Sequence, residues 1–229
     1  MRRFFLSVLL LMGTLSVEAQ AAMDTVRHEV LLSTTMGNIR VVLYNETPRH
    51  RDNFLKLVRE GYYDGNLFHR VISSFMIQAG DSTTRHAQPG QEVGLYSPDY
   101  TIPAEICYPK LFHKRGALAA AREPDDVNPS FASSASQFYI VYGRRMTEDM
   151  LDHAQARLDQ ATRGTVKLTP EIREAYNRIG GTPHLDGQYT VFGEVTEGLE
   201  VVKNIQWVET DDKDRPLQDV RIVKATIVK

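Results

Sequence analysis

One cysteine, Cys107, stands in 229 residues. That scarcity rules out any internal disulfide, so the fold has to hold without a covalent cross-link. Set in "AEICYP" between Ile106 and Tyr108, Cys107 is expected to fill core space as a small hydrophobe. A nucleophilic cysteine would need a cationic partner in space, and His113 and Lys114 are near it in sequence only. An excess of either charge is also missing: 27 Lys and Arg face 29 Asp and Glu, for a net charge of -2. The basic clusters are as short as "HKR" and "GRR", so no footprint for nucleic acid or an anionic membrane is present. The seven histidines show no H-E-x-x-H or C-x-x-C spacing, and neither a metal nor another cofactor is expected. There is no G-x-S-x-G elbow, no phosphate loop, no internal repeat and no low-complexity linker.

A long apolar run occurs once, from Phe4 to Val17, behind Arg2 and Arg3 and ahead of small residues. That order predicts a signal peptide over residues 1–21, cleaved after Ala19 or Ala21. The run falls short of the roughly 20 residues of a membrane span. Export follows as an expectation, to a periplasm first and to the outside as the alternative, with no membrane insertion after cleavage and a monomeric product.

The rest, residues 28–229, reads as one domain. "HEVLLSTT" and "NIRVVLY" predict a hairpin turning at Met36 and Gly37. Thr47 and Pro48 open a helix with Phe54, Leu57 and Val58 at helical spacing, stopped at Gly61. "GNLFHRVISSFMIQAGD" predicts one or two strands, and Ser82 to Pro103 a long surface loop. "GALAAA", "SQFYIVY", "YTVFGEV" and "DVRIVKATIVK" are further strands. "EGLEVVKNIQ" is a short helix with Leu199, Val202 and Ile205 on one face. The pattern is that of a mainly β barrel or sandwich with two core helices. One segment departs from it. Residues 147–180 predict a helical hairpin: Met150, Ala154 and Leu158 in the first helix, then Ile172, Tyr176 and Ile179 in a second opened by Thr169 and Pro170.

Within "FHRVISSFMIQAGD", Arg70 and Gln78 interrupt a greasy run that offers the cation no local acid. A distant ion pair would explain Arg70 blandly. The alternative is a guanidinium held over an apolar floor to hydrogen-bond something neutral. Phe75, Met76 and Tyr139 could form such a floor, with Gln78 and Gln137 as amide donors, and a proline ring with its flanking carbonyls would suit it. His69, between Phe68 and Arg70, is expected to be a hydrogen-bonded structural residue, and a hydrolase built from it or from Ser130, Ser133, Ser134 and Ser136 lacks a recognisable triad.

The blocks "FHRVISSFMIQAGD", "GALAAAR", "SASQFYIV" and "HLDGQYTVFGEV" come in the order found in cyclophilin-type peptidyl-prolyl isomerases, and the chain resembles that family over His28 to Tyr142 and Thr182 to Lys229. The resemblance implies a closed eight-stranded antiparallel barrel capped by two helices, here carrying the helical hairpin as an insertion. By position Arg70 resembles the family's catalytic arginine, acting with Phe75 and Gln78. Met76, Tyr139 and Leu185 resemble the proline-pocket wall, and Ala121, Arg122 (through its backbone) and Gln137 the groups that hold the peptide. Tyr189 stands where many members have histidine, and His184 where many have tryptophan, so weak cyclosporin binding is expected. Partners implied are unfolded or folding polypeptides containing proline.

The chemistry agrees. Rotation about an X-Pro bond faces roughly 18–20 kcal/mol of amide resonance. In the twisted transition state the proline nitrogen gains a localised lone pair, and a guanidinium N–H binds that better than the planar ground state. A non-catalytic proline-binding module on the same fold is the alternative from another class.

Overall fold

A computed structural model describes residues 26–229, and the expected signal segment lies outside the described residues. Among these, no helix is long and apolar enough to cross a membrane. Ten strands form: β1 (Glu29–Thr34), β2 (Gly37–Leu43), β3 (Arg70–Ile72), β4 (Met76–Ala79), β5 (Thr101–Ile102), β6 (Ala117–Ala120), β7 (Ser133–Ser134), β8 (Phe138–Val141), β9 (Val191–Glu197) and β10 (Ile222–Ile227). Four α-helices accompany them: α1 (Pro48–Arg59), α2 (Glu148–Thr162), α3 (Pro170–Arg178) and α4 (Leu199–Ile205). Eight strands make one antiparallel sheet in the order β10-β1-β2-β9-β6-β8-β4-β3, and β5 pairs separately with β7.

The expected closed barrel is instead a curled, open sheet. Its edge strands β10 and β3 are not laddered to each other. They approach through an isolated bridge, Leu67 to Arg221, and through the N–H groups of Gly65 and Phe68 donating to the carbonyls of Ile222 and Val220. The reason is local: β3 is only three residues long, and the Arg221 guanidinium donates to the Gly65 and Arg85 carbonyls at 2.7 and 3.0 Å. A side chain thus occupies the seam where further backbone pairs would form.

Strand alternation gives the sheet two apolar faces. Val71, Ile77, Ala79, Leu118, Phe138 and Ile140 point inward, onto Phe54, Leu57 and Val58 of α1 and Val201, Val202 and Ile205 of α4. Leu199, expected on that face, opens α4 and is exposed. Ala117, Ala119, Met76, Tyr139 and Val141 point outward into a second cluster. The hairpin at Met36–Gly37 forms as expected, and Gly37 is needed there: its φ is +127°, and a Cβ would sit 2.8 Å from Val201.

Thr47 precedes α1 without capping it, since its hydroxyl turns to the Tyr44 carbonyl. Glu105 caps instead, from 55 residues away, taking the N–H groups of Arg49 and His50 at 3.1 and 3.0 Å. A carboxylate there also suits the helix dipole.

In the 147–180 segment both expected helices form, each opened by a threonine hydroxyl: Thr147 accepts from the Met150 N–H and Thr169 from the Ile172 N–H. Leu151, not Met150, joins Ala154 and Leu158 in the packed stripe, which closes on Ile172, Tyr176, Val166 and Leu168 and meets Tyr108 and Phe112 of the β5–β6 connection.

Candidate active site

Register assembles the site. Arg70 pairs across the ladder with Gln78, Gln78 with Tyr139, and Tyr139 with Ala119, so all four stand in one row on the outer face. One pleat further along, Ile72, Met76 and Val141 repeat the row. A concavity of about 170 Å³ opens on this surface, lined by Arg70, Phe75, Met76, Gln78, Ala121, Arg122, Tyr139, Leu185 and Tyr189. Of the residues singled out in the sequence, only Gln137 and His184 lie outside its lining. His184 stacks on the ring of Phe75 at 5.4 Å, and burial holds its imidazole below the usual histidine range.

Arg70 does have an acid. Its Nε donates to Asp214 Oδ2 at 3.3 Å, and that carboxylate comes from a loop 144 residues away, beyond any local reading. The pair is open to water, with side chains 43% and 40% exposed. Such a pair holds the arginine by at most about 1 kcal/mol. Among the described residues no acceptor engages Nη1 or Nη2, so the outer edge of the guanidinium keeps its donors. Asp214 therefore orients the group without using it up.

The amide side of the concavity divides its work. Gln137 Nε2 donates to the carbonyls of Gly94 and Tyr96 at 2.9 and 3.0 Å, and its Oε1 accepts from Gln78 at 2.9 Å. Gln137 is thus a tether between a loop and Gln78 rather than a free donor, which corrects the expectation. Gln78 retains one amide N–H and its Oε1. Ala121 is similarly engaged, its N–H on the Gln137 carbonyl and its own carbonyl accepting from Ser134. Arg122 buries its guanidinium between Phe131 and Tyr189, donating to the Gln188 and Glu123 carbonyls and to Asp125. Its backbone N–H and carbonyl have no partner among the described residues, consistent with a backbone role.

Beneath the floor runs a buried relay that the sequence did not reveal. Tyr139 Oη lies 3.0 Å from His113 Nε2, His113 Nδ1 lies 2.9 Å from Asp186 Oδ1, and Tyr176 of α3 donates to Asp186 Oδ2 at 2.7 Å. The carboxylate also takes the His113 backbone N–H at 2.9 Å. In the tautomer that carries its proton on Nδ1, facing Asp186, Nε2 accepts from the Tyr139 phenol. Burial holds the Tyr139 hydroxyl well above its ordinary pKa, so it remains a phenol. That the Tyr139 hydroxyl finds its partner in His113, and that α3 closes the chain through Tyr176, was not legible in the sequence.

Two groups behave differently from expectation. His69 is buried, yet neither ring nitrogen has a hydrogen-bond partner: the Gln137 amide lies close, but its bonds go elsewhere. Burial first, with Arg70 adding and Asp81 opposing, pushes it down to about 4. No hydroxyl stands within bonding distance of it, so it heads no triad. A serine–histidine–acid line exists elsewhere: Ser133 Oγ lies 2.9 Å from His50 Nε2, and His50 Nδ1 2.7 Å from Glu105. Ser133 is buried and does not line the concavity, so the line caps α1 and ties it to β7 rather than presenting a nucleophile. Cys107 is half-buried with its thiol directed at the Glu46 carbonyl, and burial raises its pKa. Among the described residues no group of three or more His, Cys, Asp or Glu side chains could hold a metal ion.

Known proteins agree with this architecture. The family described as "Cyclophilin type peptidyl-prolyl cis-trans isomerase/CLD" matches residues 29–227. A Staphylococcus aureus (strain COL) protein named as a peptidyl-prolyl cis-trans isomerase is 33% identical over 197 residues, covering 85% of this chain and 88% of the relative. A Streptococcus pyogenes protein named as a bifunctional phosphatase and peptidyl-prolyl cis-trans isomerase is 36% identical over 197 residues, and there the match spans only 37% of the relative's length. The crystal structure of a Cryptosporidium parvum cyclophilin type peptidyl-prolyl cis-trans isomerase superimposes with a TM-score of 0.62 at 23% identity, over 89% of this chain and 99% of that one, which speaks for the fold. By the extent of the family match and the identity to full-length relatives, the chain belongs to the cyclophilin-type peptidyl-prolyl cis-trans isomerases.

Proposed function

We propose that Arg70 drives the isomerisation by donating an Nη–H to the proline nitrogen as the imide twists. The observation that carries this is the free outer edge of the guanidinium of Arg70, which lines a concavity together with Phe75, Met76, Tyr139 and Leu185. A proline ring seated against Phe75, Met76 and Leu185 would place its nitrogen toward Arg70, while Gln78 and the Arg122 backbone engage the flanking carbonyls. The lone pair exists only in the twisted state, so the bond lowers the barrier rather than merely tightening binding. An acceleration of about 10⁵ requires roughly 7 kcal/mol. One charge-assisted bond is worth about 1.5–3 kcal/mol, so ring contacts and carbonyl bonds share the remainder. No proton is transferred, and no step calls for a metal or cofactor.

The substrates on this reading are polypeptides with exposed X-Pro bonds. A related cyclophilin was crystallised in the presence of the dipeptide Ala-Pro, which supports that class. The Arg-Arg and apolar pattern of residues 1–21 supports export, and hence a role in folding exported proteins, in a periplasm first.

NMR exchange measurements on a short Ala-Pro peptide test the reading. Catalytic line broadening by the parent protein, lost in Arg70→Ala while the peptide still binds, is the expected result. Binding without broadening in the parent would identify a proline-peptide module instead, and labelling by a fluorophosphonate would revive a hydrolase.

A further inference from the structure

The concavity does not end at Phe75. Past that ring and the stacked His184 lie two further clefts, of about 350 and 250 Å³, both lined by Arg144, Met146, Arg157 and His184. The larger one shares Phe75 with the proline concavity, so the surfaces are continuous. α2 contributes a stripe at helical spacing to the smaller one, Met150, His153, Ala154 and Arg157.

Three features mark these clefts as built for a ligand. No carboxylate lines either of them. The acids Glu148 and Asp152 of α2 are held by Arg173 and Asp159 by Lys167, whereas Arg144 and Arg157 are exposed and paired with nothing among the described residues. Thr182 also lines the larger cleft, buried, with a hydroxyl that has no hydrogen-bond partner. The opposite flank of Arg70 is mixed in charge: there Glu92, Asp211 and Asp212 line the cleft beside Lys213 and Arg215, and Lys213 holds Glu92.

From this we infer that the insertion builds an extended subsite for an acidic stretch of the substrate polypeptide, within a few residues of the bound proline on the side leaving past Phe75. Arg144 and Arg157 would take the carboxylates and Thr182 Oγ1 a backbone or side-chain group, with Met146 and Met150 as an adaptable apolar base. The inference rests on the proline concavity being where substrate binds, and it makes charge beside the proline a determinant of selection.

The test uses Ala-Pro peptides carrying three glutamates, three lysines or three alanines on one flank, then on the other. kcat/KM is read by exchange and Kd by NMR titration. Glutamates on one flank are expected to improve both about three- to tenfold over alanine at low salt, the scale of two solvent-exposed ion pairs. The gain should fade near 1 M salt, where charges are screened beyond about 3 Å. The double substitution Arg144→Glu with Arg157→Glu should turn the preference toward the lysine peptide, which an unfolded variant could not do. Equal Kd values for glutamate and alanine peptides on both flanks, or an unchanged glutamate preference in the double variant, overturn the inference. Tighter glutamate binding without any turnover would uphold the subsite and overturn the isomerase mechanism.

Discussion

On the proposed mechanism, Arg70 would keep two tasks apart on one side chain. Its Nε faces Asp214, and its outer edge faces the concavity. Arg70→Ala should therefore lower kcat/KM by about a hundredfold or more, the usual loss for one donor aimed at developing charge. The melting temperature should hardly move, because an exposed ion pair contributes little. Arg70→Lys should not restore activity, since a single ammonium cannot face both directions. Asp214→Asn, read in the same peptide assay, should stay within about threefold of the parent, because the amide oxygen can still accept from Nε; a loss equal to that of Arg70→Ala would mean that Arg70 works only beside a charged Asp214. His69 offers a separate test. Its folded pKa of about 4 lies below the roughly 6.5 of an unfolded histidine, so the unfolded chain binds a proton that the folded one refuses. Its contribution is complete above about pH 6.5 and is lost as pH falls toward 4, by something on the order of 3 kcal/mol. Urea unfolding at pH 7 and pH 4.5 should show a smaller acid loss for His69→Gln than for the parent.

The insertion is more than a surface attachment. Its Tyr176 hydroxyl satisfies Asp186, which holds His113, which holds Tyr139 in the pocket floor. Tyr176→Phe leaves one oxygen of a fully buried carboxylate unpaired, and a stability loss of about 1–3 kcal/mol is expected by thermal denaturation. Deleting residues 147–180 should cost more, since Tyr108 and Phe112 would lose their cover as well. Both helices were legible from their caps and spacing, because threonine hydroxyls and four-residue apolar repeats act within a single turn. The exchange of Met150 for Leu151 in the packed stripe was not, because which face turns inward depends on what the helix meets. The α1 cap shows the same limit: Thr47 and Pro48 announce the start, but Glu105 from a remote segment out-competes the local hydroxyl.

At the scale of the molecule, an open curled sheet has an apolar core on its concave side and a working surface on its convex one. On the proposed mechanism, catalysis on that surface would use a guanidinium hydrogen bond and no general acid or base. The turnover of an Ala-Pro peptide should thus be nearly flat from about pH 6.5 to 9 and indifferent to a chelator. A bell-shaped profile would instead place a titrating acid or base in the reaction.

Alternation and helical spacing determined by themselves the main strands and helices, but not the two-residue strands β5 and β7, which lie in stretches that read as loops. They also determined that Arg70, Gln78 and Tyr139 would interrupt apolar runs, because those patterns act between neighbours along the chain. Folding in three dimensions decided the rest: Asp214 beside Arg70, the relay from Tyr176 to Tyr139, the unladdered seam and the cationic clefts. Each of these joins residues far apart in the chain, and a hydrogen bond or ion pair acts over a few ångströms of space, whatever the distance in sequence.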